Sequence, residues 1–188
     1  MTANFEPKRT DYNHSERDNR DSQGQQQQVR GRPSLGRIRL DRELFAPMGY
    51  PADYGFIEHS LGEDGDPLGA LVLLNNPIFP GVLVKMRPVG VFLITDEAGP
   101  DAKIITVSAS DPRWAHLRDI DDVPTDVLAR IEHFFTHYKD LEPGKHTVVD
   151  GWDSRAAAQK SVDDAYDRVS AGADGVVHEL PGDRTPTI

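Results

Sequence analysis

The chain has no cysteine among its 188 residues. A disulfide framework, a thiolate zinc site and a thiol nucleophile are therefore excluded. Long apolar runs are also missing: the longest are four or five residues, against the roughly 20 that a membrane-spanning helix needs. The N-terminus is polar and lacks the apolar stretch of a secretory signal, so a cytoplasmic protein without membrane association is expected. Apolar residues make up 37 %, below the roughly 45–50 % usual for globular chains, a range that also counts glycine. Part of the chain is thus expected to stay unpacked. Positive charge is in deficit, with 21 Lys and Arg against 31 Asp and Glu and a formal net charge of −10. That deficit argues against a sequence-independent grip on nucleic acid, and no nucleic-acid partner is expected. It also raises the question of what the surplus carboxylates do.

The shortage of apolar residues is local. Residues 1–30 hold only Met1, Ala3, Phe5, Tyr12 and Val29, together with a Gln-rich stretch at Gln23 and Gln25 to Gln28. Such a segment buries too little surface to offset its ordering entropy, so residues 1–35 are expected to be disordered. They contain six basic and five acidic residues, so residues 36–188 carry −11. At the other end, residues 171–188 are rich in Gly, Asp and Pro and are expected to form a flexible tail. One domain over residues 36–170 remains.

Within it, Gly36 to Asp41 alternates apolar and charged residues, the pattern of a half-buried strand. Leu71 to Leu74, Val82 to Val84, Val89 to Ile94 and Ile104 to Val107 are short aliphatic runs separated by Gly, Pro, Asn and Asp. Two amphipathic helices follow. Val127, Leu128, Ile131, Phe134, Phe135 and Tyr138 share one face after Pro124, and Ala158, Val162, Ala165, Tyr166 and Val169 share another, with Asp153 or Ser154 as N-cap. The pattern implies an α+β fold, a small β-barrel or sandwich with helices packed against it.

Asp64 and Asp66 stand in a Gly-Pro turn before one aliphatic run, and Asp96 and Asp101 flank the turn between two others. If these turns meet, four carboxylates converge, and their repulsion would be relieved by a hard divalent cation such as magnesium or manganese. The alternative is that Asp and Gly merely turn the chain. Arg42, Lys103 and Lys139 are cations, and Tyr54 and Tyr138 phenols, of the kind a phosphate ligand needs beside such a cluster. Each also has a plain structural reading, Lys139 at a helix C-terminus and the tyrosines as core aromatics. His133 and His137 stand at i, i+4 but lack a companion acid at metal-ligand spacing.

Several motifs in order, Tyr50-Pro-Ala-Asp-Tyr-Gly-Phe-Ile57, Asp64-Gly-Asp-Pro-Leu68, Arg87-Pro-Val-Gly90, Asp101-Ala-Lys103 and His133 to Glu142, resemble the soluble family I inorganic pyrophosphatases, most closely actinobacterial members. The resemblance spans Gly36 to Ala171. It implies a small five-stranded, OB-like β-barrel with two packed α-helices, a homo-hexamer, and Mg²⁺-dependent hydrolysis of pyrophosphate to two orthophosphates. It also implies roles: Asp64, Asp96 and Asp101 as metal ligands, Asp66 orienting or deprotonating the attacking water, and Arg42, Tyr54, Lys103, Tyr138 and Lys139 binding substrate.

Two departures from that pattern stand out. The family turn reads Asp-Gly-Asp-Pro-x-Asp, and here the final position, a metal ligand in the family, is Gly69. Upstream, Gln28 and Arg30 take the places of a phosphate-binding Lys and an acidic residue, so the Gln-rich segment is expected to replace the family's opening strands. Impaired turnover, with the fold retained to bind phosphate, pyrophosphate or a protein partner, is the alternative these departures raise.

Overall fold

The computed structural model describes residues 23, 24, 26–32 and 37–173. The chain runs β1 (Gln27–Arg32), β2 (Arg37–Glu43), β3 (Asp53–Phe56), β4 (Gly69–Leu73), β5 (Met86–Asp96), β6 (Gly99–Ser108), α1 (Thr125–His137), β7 (Thr147–Ser154) and α2 (Arg155–Ala173). β1 and β2 form a two-stranded ribbon, and the other five strands form one mixed sheet in the order β3-β4-β6-β5-β7. β4 and β6 are parallel, while β3–β4, β5–β6 and β5–β7 are antiparallel. The fold is α+β as expected, and in this strand order β3 and β7 are the open edges of the sheet rather than hydrogen-bonded neighbours.

Each face of the sheet carries its own core. On one side Leu71, Leu73, Phe92, Ile94, Ile105 and Val107 pack under α1 through Ile131, Phe134 and Phe135. On the other, Ala70, Val72, Val91 and Ile104 pack under α2 through Ala158, Val162 and Ala165. A strand covered on both faces reads as an unbroken apolar run, and all five residues of β4 are buried. Both helices lie where the periodicity places them. The Ser154 hydroxyl accepts from the Ala157 N–H at 3.3 Å, the expected N-cap of α2.

Four expectations need correction. Gln27–Arg32 is paired with β2, with Gln28 opposite Arg42, so the Gln-rich segment supplies an opening strand rather than replacing one. The rest of the 1–35 segment lies outside the described residues, apart from Gln23, Gly24 and Gln26. α2 continues through Ala171–Ala173, three residues assigned to the tail, and 174–188 lie outside the described residues. Val82–Val84 is not a strand: it leaves a turn in which the Val82 N–H bonds Phe79 O, and Val82 and Leu83 are exposed. β3 and β7 were not anticipated. β3 is only four residues long, and Asp150-Gly151 interrupts the apolar pattern of β7, where the ladder also shifts register between Leu93 and Ile94 of β5. Among the described residues no helix is long and apolar enough to cross a membrane.

Gly90 is a place where backbone and side chain meet closely. A Cβ there would lie 2.5 Å from Ile120 Cδ1 and 2.8 Å from its Cβ. Gly90→Ala is therefore expected to cost ~1–3 kcal/mol by overpacking. Urea denaturation checks this, and an unchanged midpoint would show that the turn carrying Ile120 yields freely.

Candidate active site

Side chains alternate across a strand, so the face that holds Leu71, Phe92, Ile94 and Ile105 also carries Gly69, Asp96, Asp101 and Lys103 nearer the β5–β6 hairpin. The apolar core thus runs directly into a charged end. Register places the parts: Gly69 pairs with Lys103, Phe92 with Lys103, Ile94 with Asp101, and Tyr54 with Leu71.

At the centre Lys103 is only 7 % exposed. Its ammonium lies 2.5 Å from Asp101 Oδ2 and donates to the Tyr54 hydroxyl at 2.9 Å. The Tyr54 ring is stacked on Tyr50 and set edge-on to Phe135, which fixes where that hydroxyl sits. Burial works to lower the Lys103 pKa, but Tyr54, Asp101 and Tyr138 overcome it and raise it, so the charge is held. Burial pushes the Tyr54 phenol up to about 12 against the opposing pull of Lys103. Burial likewise raises Tyr138, which is electrostatically coupled to Lys103, Lys139, Asp101 and Arg42.

The hairpin tip supplies the next pair. Asp96 accepts from the Ala98 N–H at 2.7 Å, and its other oxygen accepts from Lys139 at 2.7 Å. Burial alone would raise the Asp96 pKa, but these two donors hold it below the usual carboxylate range. Lys139 also reaches Glu97 at 3.2 Å, and Lys145 meets Glu97 at 2.5 Å. From β2, one terminal nitrogen of Arg42 donates to both Glu142 oxygens at 2.9 and 2.7 Å.

Asp64 and Asp66 come from a turn closed on itself: the Gly62 N–H bonds Asp66 O at 2.6 Å and the Asp66 N–H bonds Asp64 Oδ1 at 3.0 Å. Gly65 at φ 87° allows that turn, since a side chain there would be strained. Burial, and then the charge of Asp101, raise the Asp64 pKa, while the Asp66 N–H opposes them. Asp66 itself is exposed.

The nine residues singled out from sequence thus gather around one end of the sheet, Asp66 through its neighbour Asp64. The expected convergence of carboxylates is looser than anticipated. Among the described residues no three His, Asp or Glu side chains are grouped closely enough to hold a metal ion. Two lysines hold Asp101 and Asp96, and Gly69 contributes no oxygen. Its backbone is not left-handed, so glycine is not required there. A Cβ at Gly69 would meet the Tyr54 hydroxyl at 2.7 Å and Lys103 Cδ at 3.2 Å, so these two side chains close over the place. The donors that are present, all carboxylate oxygens, suit a hard divalent cation, with one donor fewer at position 69.

Glu97, Glu142 and Lys145 were not singled out as site residues. Lys139, Glu142 and Lys145 recur every third residue around Pro143-Gly144, a pattern that reads as a solvated turn until its partners on β2 and the hairpin are known. His133 and His137 lie on the exposed side of α1, their rings 4.8 Å apart.

Cations and phenols for an anion, beside carboxylates for a hard cation, define a protein that handles phosphoryl groups. Comparison narrows the class. A family model described as inorganic pyrophosphatase matches residues 6–170. The inorganic pyrophosphatase of Leifsonia xyli subsp. xyli is 55 % identical over 136 residues, covering 72 % of this chain and 83 % of that protein. That of Corynebacterium glutamicum is also 55 % identical over 136 residues, covering 72 % and 85 %. The crystal structure of the Thermus thermophilus inorganic pyrophosphatase superposes with a TM-score of 0.76 at 47 % identity, covering 80 % of this chain and 87 % of that one. The chain belongs to the inorganic pyrophosphatase family, whose members are generally metal-dependent.

The two buried phenols are open to direct measurement. A phenol raised to about 12 when folded and near 10 when unfolded favours the folded state fully below pH 10 and loses that advantage as pH rises through 12. Ultraviolet titration of the five tyrosines is expected to show late-ionising phenols, of which Tyr54→Phe removes one. Ionisation of all five near pH 10 would contradict the burial of this hydroxyl.

Proposed function

We propose that the chain hydrolyses inorganic pyrophosphate to two orthophosphates with the help of a divalent cation, Mg²⁺ or Mn²⁺. The observation that carries this reading is the meeting of Lys103, Lys139 and Arg42 with two tyrosine hydroxyls and the carboxylates of Asp64, Asp96 and Asp101 at one end of the sheet. In this reading Lys103, Lys139 and Arg42 take the negative oxygens of the substrate, and Tyr54 and Tyr138 add neutral hydroxyls that do not ionise at working pH. Asp64 and Asp101 would hold one cation and Asp96 a further one, each displacing the lysine that now pairs with Asp101 or Asp96. When bound, such a cation withdraws charge from phosphate oxygens and makes water a better nucleophile. Asp66, exposed and next to Asp64, orients the attacking water and takes its proton. Work in the cytoplasm as a homo-hexamer accords with the family.

Gly69 favours a second reading, a site that binds pyrophosphate and turns it over slowly. Gly69 brings no carboxylate, and the neutral Tyr54 hydroxyl lies 2.7 Å from where a Cβ would begin.

Phosphate release from pyrophosphate with Mg²⁺ separates the two readings. Slow release by the wild type, raised about tenfold or more in Gly69→Asp, is expected, since even a supporting partner of a metal ligand is worth ~10–100-fold. Gly69→Ala controls for displacement of Tyr54 by the Cβ alone. Brisk wild-type release that Gly69→Asp does not improve would remove the second reading. No release by either, with saturable pyrophosphate binding by calorimetry, would remove the first.

A further inference from the structure

The turn after α1 places three charges on successive corners. The Glu142 N–H bonds Lys139 O at 2.8 Å, and the Lys145 N–H bonds Glu142 O at 3.2 Å. Lys139 and Lys145 reach the β5–β6 hairpin through Asp96 and Glu97. Glu142 points instead to β2, where one Arg42 nitrogen lies 2.9 and 2.7 Å from its two oxygens, 100 residues away in sequence. The Glu142 side chain is 10 % exposed and that of Arg42 31 %. Arg42, like Lys103 and Lys139, favours the ionised form of Tyr138 against its burial, and the Lys139 ammonium lies 5.6 Å from the centre of that ring.

Carboxylate and phosphate oxygens use the same guanidinium donors in the same geometry. A phosphate that takes the Nη1 donors of Arg42 must therefore compete with Glu142. The other carboxylates paired with site cations, Asp96, Glu97 and Asp101, lie on the hairpin, whereas Glu142 stands on the α1 turn and has no place in the roles assigned above. We propose that Glu142 is a positioning residue: it holds Arg42 at the site before substrate arrives and releases it to a phosphate group, so that it sets anion affinity through Arg42. The inference rests on the reading of this end of the sheet as a phosphate site.

Two measurements on the full chain test it, with inorganic phosphate and pyrophosphate as probes and Mg²⁺ present. In the unmodified protein the guanidinium nitrogen resonances of Arg42, identified by their loss in Arg42→Lys, are expected to shift as phosphate saturates. Resonances that stay in place while phosphate binds would overturn the proposal and leave the functional reading standing. By calorimetry, Glu142→Gln is expected to tighten phosphate binding about three- to tenfold, the range for loss of a partly exposed competing ion pair. That gain should vanish when Arg42→Ala is added. Unchanged or weaker binding in Glu142→Gln would show that Glu142 does not compete for Arg42, and a gain that survives in Arg42→Ala would show that it does not act through Arg42; either overturns the proposal. No binding of either anion by any of these proteins would overturn the functional reading and the proposal with it.

Discussion

An ammonium group taken out of water needs a counter-charge and further hydrogen-bond partners, or it costs several kcal/mol and is shed. Lys103 sits on β6, between β4 and β5 in the sheet, and is almost fully buried. Its requirements organise the surroundings. Asp101, two residues earlier on the same face, supplies the charge, and the Tyr54 hydroxyl on β3 supplies the second oxygen. The aromatic rings of Tyr54 and Phe135 lie 5.3 and 5.9 Å beneath the cation and add their electron-rich faces. Breaking this arrangement by removing one member would leave an uncompensated charge in the core, so the clamp and the fold support each other.

The same logic extends outward. Lys139 rests on Asp96 and Glu97, Lys145 on Glu97, and Arg42 on Glu142. Positive and negative groups alternate, so the site stores its cations in balanced pairs rather than as a bare positive patch. In the proposed function a chain with a net charge of −10 would present an anion site here, because an incoming phosphate would exchange partners with carboxylates already in place. Such an exchange is gentler than desolvating an unpaired lysine, and it makes affinity depend on the carboxylates as much as on the cations.

Gly69 belongs to this balance. Its backbone would accept a side chain, yet the room for one is taken by the Tyr54 hydroxyl and the Lys103 stem. The lack of a side chain thus lets the lysine, the phenol and Asp101 draw together. The charge that an acid would have brought to the site is missing.

The helices, the β4–β6 core and the Asp64-Gly65-Asp66 turn were legible in the sequence, because 3.6-residue and two-residue periodicities and a left-handed glycine are local signals. β1, β3 and β7 were not: glutamines, a four-residue span and an Asp-Gly interruption hide their periodicity, and the partner of β7 is the distant strand β5. Val82 to Val84 shows the converse, an aliphatic run with no strand to pair it. The chain alone determined which chemical groups are available, three cations, two phenols and a set of carboxylates in spaced motifs. Tertiary structure decided their partners: that Lys103 meets the Tyr54 hydroxyl on β3, that Lys139 holds Asp96, and that Glu142 reaches Arg42 across 100 residues. Those pairings follow from sheet register and from the close of the α1 turn, and neither is written in any local stretch of sequence.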